Sequence, residues 1–364
     1  MIIYYDESIL TYISAIREHY GLSSSFVPDM KLKELIKQKD PKRIFLLLID
    51  GMGALQVERQ LPEDSFCRKY FYKKVSTVFP PTTVAATTSI LNGKAPNENA
   101  WLGWMQYIEE ADDILIPFLG KGYYNGREYG SDYVYDKIPV DNIIDELNRK
   151  GIKADSLYPA FKKNGCHSFE EMADRLVDLS YSDNEFVYGY WDGYDSLMHK
   201  EGPSAWASQE YLLSVDKKLE DISSKLSEGT MLIVLADHGQ IDVGKTVNLY
   251  HSPIASFLEK KPCIEARACA FYIKEGKKEE FSKTFLHEFE EDFILFSADQ
   301  VKELSLFGPN KDHPRFSQLI GDFLAVGKSD VCLIYDELDG PYFKGQHAGM
   351  REEEIYIPLI IYQK

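Results

Sequence analysis

Residues 43–50 read RIFLLLID, a continuous apolar run of strand length that stops on an aspartate. A run without polar alternation fits a central strand buried on both faces. Three further segments share the character: FVYGYWD at 186–192, MLIVLAD at 231–237 and IYIPLIIY at 355–362. Helical patterns lie between them. The clearest starts at Ser204, SAWASQEYLLSVDKKLEDISSKL, with Gly229 following. Strands alternating with helices predict an α/β fold, a three-layer sandwich around a mostly parallel sheet. Sites in such folds lie outside the carboxyl ends of the strands. Asp50, Asp192, Asp195 and Asp237 fall at or just past those ends.

The rest of the chain is arranged around that frame. Residues 1–40 read as a helical lead-in. Residues 95–170, rich in Trp, Tyr and Gly, read as long loops at an active-site mouth. Residues 265–340 read as a small α+β subdomain inserted into a single domain spanning 1–364. The chain has 364 residues, 44% hydrophobic and 27% charged, enough for a large core without disulfide support. A net charge of −17 opposes binding of long nucleic acid, whereas a small anionic substrate remains compatible if metal ions reverse the local sign. Five cysteines with no CxxC pair read as reduced thiols and point to the cytoplasm. No apolar stretch is long enough to predict a membrane span, and MIIYYDESIL does not read as a signal peptide. Oligomeric state is left open.

Five short elements carry chemistry. In FPPTTVAATTSILNG (79–93), Pro80 and Pro81 impose an extended approach and Gly93 a C-terminal stop, so a helix starts near Thr83. Alone, a threonine there is a capping residue. The same place also favours an alkoxide and a neighbouring phosphoryl oxygen, because free N–H groups point outward. In WDGYDSLMHKEGP, Asp195 and His199 are four apart and can share one side of a helix. In LADHG, Asp237 and His238 follow a strand directly. Asp50 ends an apolar strand, a costly position for a carboxylate unless it is paired or metal-bound. His347, in GQHAGMREEEIYIPLIIY, precedes the last strand.

Taken in order, these elements resemble the alkaline phosphatase superfamily, and within it the type I phosphodiesterase/nucleotide pyrophosphatase family. FPPTTVAATTSILNGKAP, YDSLMHKEGP, LADHG and HAGMREEEIYIPLI carry a resemblance that spans residues 44–362. It implies a phosphohydrolase acting on phosphodiester or pyrophosphate bonds of small substrates, nucleotides among them, through a phosphothreonine on Thr83. It also implies two divalent ions, zinc or alternatively manganese. One would be held by Asp195, His199 and His347; the other by Asp50, Asp237 and His238, with Thr83 as fourth ligand. In-line displacement between ions about 4 Å apart would follow. One departure stands out. Ala86 occupies the position where relatives often carry an asparagine that donates to a phosphoryl oxygen, and Asn99 is a candidate substitute. Trp101 and Trp104 are candidates to stack on a substrate base. Lys121 or Arg127, meeting a terminal phosphate, would instead favour monoesters. A phosphomonoesterase or phosphonoacetate hydrolase is thus one alternative, and a non-catalytic metal-dependent anion-binding protein another.

Overall fold

The protein is described here by a computed structural model covering residues 3–364. Its central sheet has six strands: β1 (Arg43–Ile49), β2 (Phe71–Ser76), β3 (Ala154–Leu157), β4 (Phe186–Trp191), β5 (Thr230–Leu235) and, at the end of the chain, Tyr356–Gln363. The spatial order is β2, the terminal strand, β5, β1, β4, β3. β1 runs parallel to both β4 and β5, and β3 parallel to β4. The terminal strand is antiparallel to both its neighbours, so the last apolar run differs in direction from the others it resembles. Every residue of β4 and β5 is buried. Successive side chains point to opposite faces, so both faces are covered. One layer packs α1 (Ile9–His19) on α3 (Thr83–Asn92) and α3 on α4 (Ile143–Arg149). The other packs α7 (Trp206–Lys225) against α2 (Ala54–Gln60), α5 (Phe169–Ser180) and α6 (Gly193–Glu201).

Register places the site. Ile49 pairs with Trp191, and Leu48 with Leu235. The residues that follow, Asp50, Asp192 and Asp237, therefore emerge side by side at one edge of the sheet.

A second sheet joins β6 (Leu258–Ile264), β7 (Ala268–Ile273), β9 (Phe323–Gly327) and β8 (Phe293–Ser297), in that order and all antiparallel. Helix α8 (Lys278–Phe289) closes one face with Phe281, Phe285 and Phe289 against Phe271 and Phe293. The other face, through Cys263, Ile264, Ala268, Ala270, Leu324 and Val326, merges with the main core. The sheet begins at Leu258, earlier than the expected boundary at 265.

Residues 95–170 are more ordered than the expected loops. They hold a three-stranded antiparallel sheet (106–108, 113–116, 121–122), α4 and β3. The aromatic richness is divided: Trp104, Tyr123 and Tyr124 line the cleft, while others serve packing. Trp101 is fully buried between Phe118 and Tyr135, with ring centroids 5.6 and 4.5 Å away. Among the described residues no helix is long and apolar enough to cross a membrane.

Candidate active site

The carboxyl edge of the central sheet gathers seven of the residues singled out in the sequence. Asp50 and Asp237 leave adjacent strands. Gly51, at φ 73°, turns the chain back so that its N–H donates to Asp237 Oδ1 at 3.1 Å. A Cβ at Gly51 would lie 3.1 Å from Asp195 Oδ1 and 2.8 Å from Met198 Cε, in a backbone conformation that side chains rarely adopt. Helix α6 then presents Asp195 and, one turn on, His199, whose Nε2 is 3.3 Å from Asp195 Oδ2. His347 enters from the loop before the terminal strand, its ring stacked on His238 at 3.8 Å between centroids. Asp192, although level with Asp50, belongs to neither carboxylate–imidazole group.

Thr83 opens α3. Its hydroxyl lies 3.4 Å from Asp50 Oδ2 and 3.2 Å from His238 Nε2. Thr82 is the N-cap residue by position but makes no capping bond. Its hydroxyl donates instead to Glu265 Oε1. The capping reading therefore fails for both threonines, and the first N–H groups of α3 remain uncapped beside the Thr83 hydroxyl.

All three histidines share one orientation. Nδ1 of His199 faces Gly345 O at 2.8 Å, Nδ1 of His238 faces Gly239 O at 3.1 Å, and Nδ1 of His347 faces Pro81 O at 3.2 Å. A carbonyl can only accept, so Nδ1 carries the proton, and in the neutral imidazole Nε2 is then left with a lone pair. Buried Asp50 Oδ1 and Asp237 Oδ2 have no hydrogen-bond partner. Orphaned carboxylate oxygens and basic imidazole nitrogens in one buried cluster are what a divalent cation requires. The oxygens are also oriented from behind: Tyr190 donates to Asp50 Oδ2 and Gln240 to Asp195 Oδ1.

Electrostatics agree. Burial, then Asp237 and Asp195, push the Asp50 carboxyl well above its usual range, and burial raises Asp237 too. Burial alone would raise Asp195, but His199, with His238 and His347, outweighs it and draws that carboxyl down. Burial and the neighbouring His238 push the His347 imidazole well below its ordinary value. Three carboxylates with few cations around them fit positive charge at the centre of the cluster.

The grouping differs in one respect from the expected split. Asp50, Asp237 and His238 converge as one triad, but the second tight group is Asp195, His347 and His238, so His238 is shared. His199 belongs to neither tight group, although its Nε2 lies 3.3 Å from Asp195 Oδ2 at the edge of the second.

Of the expected substrate contacts, only Trp104 lines the cleft, a cavity of about 630 Å³. Asn99 is buried elsewhere, its amide donating to Ser89 Oγ and Lys94 O. It therefore does not replace the donor missing at Ala86, which is itself fully buried in α3. Trp101 Nε1 is used on Ile138 O, away from the cleft. Lys121 pairs with Glu128 at 3.0 Å and Arg127 covers the Tyr129 ring; neither lines the cleft. Sequence reasoning missed Tyr190, Gln240 and Glu265. It also missed Glu354, which accepts from Gly349 N and Arg351 N in the loop that carries His347 and is held by fully buried Arg267.

A mostly parallel sheet with a carboxylate–imidazole cluster at its carboxyl edge and a threonine at an adjacent helix start defines an alkaline phosphatase-like α/β protein. The type I phosphodiesterase / nucleotide pyrophosphatase family model matches residues 121–349, and the chain belongs to that family of phosphodiesterase-type hydrolases. Its fold is that of murine and human ectonucleotide pyrophosphatase/phosphodiesterase 5. Each is 16% identical with a TM-score of 0.68, covering 88% of either chain. An inactive variant of the murine protein, 15% identical, is solved in complex with AMP. A curated relative, GPI ethanolamine phosphate transferase 3 of Eremothecium gossypii, is 29% identical over 32% of this chain, a match spanning only 14% of that relative's length.

Proposed function

We propose that this chain hydrolyses phosphodiester or pyrophosphate bonds of small substrates through a covalent intermediate on Thr83. The observation that carries the reading is the Thr83 hydroxyl, exposed to the cleft and set 3.2 Å from His238 Nε2 beside two orphaned carboxylate oxygens. Asp50, Asp237 and His238 would hold one divalent ion beside Thr83; Asp195 and His347, with His199 at the outer edge, would hold the second. Zinc fits the mixed nitrogen and oxygen donors, as does manganese. Bound ions supply Lewis acidity and offset the charge of the reacting phosphate.

The chain's own groups do the rest. Thr83 Oγ1 gives up its proton to solvent and attacks phosphorus; a P–O bond forms, and the bond to the leaving oxygen opposite breaks, that oxygen keeping the electron pair and taking a proton from solvent where its basicity requires one. The uncapped N–H groups of α3 face the phosphoryl oxygens and favour their negative charge. Tyr190 and Gln240 keep Asp50 and Asp195 from rotating away. Water then cleaves the Thr83–phosphorus bond and restores the hydroxyl. The murine relative solved with AMP is an inactive threonine-to-alanine variant, the residue type that this chain presents to its cleft.

Diesters and pyrophosphates are favoured over monoesters, because no Lys or Arg among the described residues lines the cleft to meet a terminal dianion. Metal-loaded protein should turn over bis-p-nitrophenyl phosphate or a dinucleotide pyrophosphate at least about tenfold better than p-nitrophenyl phosphate, as one missing charge-assisted contact implies. Turnover of neither, with metal retained, would refute the reading.

A further inference from the structure

A second cavity, of about 370 Å³, lies where the C-terminal ends of α1 and α3 meet α4. Its volume is that of a small-molecule pocket. Asn92 in its lining ends the helix that Thr83 opens, about 14 Å away along the axis. Arg17, only 2% exposed, forms the buried base. Its Nε donates to Ser23 O at 2.8 Å and its Nη2 to both oxygens of Glu146 at 2.9 Å, whereas Nη1 has only a 3.5 Å contact to Leu91 O. Around this base stand further donors. Asn92, 5% exposed, takes the Lys94 N–H on its Oδ1 at 2.8 Å, and its Nδ2 makes no bond among the described residues. His313 Nδ1 accepts the Arg315 N–H at 3.2 Å, so Nε2 carries the ring proton. Burial, then Arg315 and Lys94, draw His313 below its ordinary value, which keeps that ring a neutral donor. Lys94 itself has no ion-pair partner among the described residues. The carboxylates of the lining are largely committed: Glu146 to Arg17, Asp141 Oδ1 to Arg149 at 2.9 Å, and Glu98 Oε2 to Ala95 N and Asn310 Nδ2. Glu98 Oε1 and Asp141 Oδ2 remain as acceptors.

We propose that this cavity is a binding site for a small hydroxylated phosphate monoester, such as a phosphorylated sugar. Its phosphate lies among Asn92, Lys94 and His313 over the Arg17 guanidinium, where ionised oxygens meet donors that have no other partner. The cavity is roomier than a bare phosphate needs, so the ligand carries an organic body. The two remaining carboxylate oxygens accept from hydroxyl groups on that body and repel a second phosphate. No residue is shared between this lining and that of the cleft. The site therefore stands or falls independently of the hydrolase reading.

The test reads the site through Lys94. Metal-loaded protein is given a brief pulse of an amine-acetylating reagent, and labelling of each lysine is quantified by peptide mass spectrometry. The pulse is repeated with ribose 5-phosphate, with inorganic phosphate, with ribose, and with potassium chloride at equal ionic strength. Ribose 5-phosphate should slow acetylation of Lys94 about fivefold or more at a few times its dissociation constant, leaving the other lysines unchanged. Inorganic phosphate should protect at higher concentration, and ribose and potassium chloride should not protect. In His313→Leu, a half-buried loop position, protection should need about tenfold more ribose 5-phosphate, as loss of one hydrogen bond to a charged oxygen implies. Because protection is read at Lys94 alone, phosphate bound at the cleft does not mimic it. Equal labelling with and without ribose 5-phosphate, or equal protection by potassium chloride, would overturn the site. Protection by inorganic phosphate at the same concentration as ribose 5-phosphate would overturn the hydroxylated body, and protection unchanged in His313→Leu would overturn the placement of the phosphate.

Discussion

The Arg267–Glu354 pair offers a direct measure of what holds His347 in place. Both side chains are fully buried. Arg267 makes a two-pronged bond to Glu354, at 2.7 and 2.9 Å, and a third bond to Val331 O at 2.7 Å. Glu354 in turn accepts from Gly349 N at 2.7 Å and Arg351 N at 3.1 Å. A base on the edge of the second sheet thus anchors the loop that delivers a candidate ligand to the first. Arg267→Met removes the cation and strands a buried carboxylate with only two backbone donors. Removing one partner of a buried pair costs about 3–5 kcal/mol, and the surviving backbone bonds place the expected loss near the lower end. Adding Glu354→Gln removes the stranded charge but keeps an oxygen to accept from the loop, so the double variant should regain part of that loss. Urea unfolding of the two variants and the wild type reads the energies, and elemental analysis reads metal bound per chain. The single variant should also lose metal. A loss under about 1 kcal/mol with full metal content, or a double variant less stable than the single, would refute the reasoning.

Two further predictions concern the cluster itself. With metal chelated, Asp50 and Asp237 have folded-state pKa values above their unfolded ones. The native state then holds protons that the unfolded chain has released, so stability is full below the ordinary carboxylate range and falls as pH rises toward the elevated values. Chelated Asp50→Asn should therefore melt higher than chelated wild type near neutral pH with a flatter pH dependence, while losing activity; a lower melting temperature would contradict this. Tyr190→Phe removes the donor behind Asp50 and should reduce metal affinity or turnover by about 10- to 100-fold without unfolding the protein, a change that metal titration and kinetics would separate.

Much of the site was legible in the chain because each residue sits at a local punctuation mark. Asp50 and Asp237 end fully apolar runs, Asp195 and His199 are one helical turn apart, and Pro80, Pro81 and Gly93 bracket the helix that starts at Thr83. The fold followed from the same runs, since continuous burial on a strand requires cover on both faces. What local pattern did not give are contacts between distant segments. Tyr190 meets Asp50, Gln240 meets Asp195 and Glu265 meets Thr82 only once the strands are aligned and the second sheet has docked. Trp101 and Trp104 look alike in sequence, yet one is fully buried and the other stands at the rim. Aromatic residues serve burial and recognition equally well, and only packing decides between them.

The central claim is that Thr83 forms the covalent bond to phosphorus. Acid-quenching metal-loaded protein during turnover of bis-p-nitrophenyl phosphate, then sequencing the peptide that contains FPPTTVAATTSILNG by mass spectrometry, tests it directly. The account predicts a p-nitrophenylphosphoryl adduct on Thr83, absent from Thr83→Ala, which should retain metal but not turnover. An adduct on another residue, or undiminished turnover by Thr83→Ala, would contradict it.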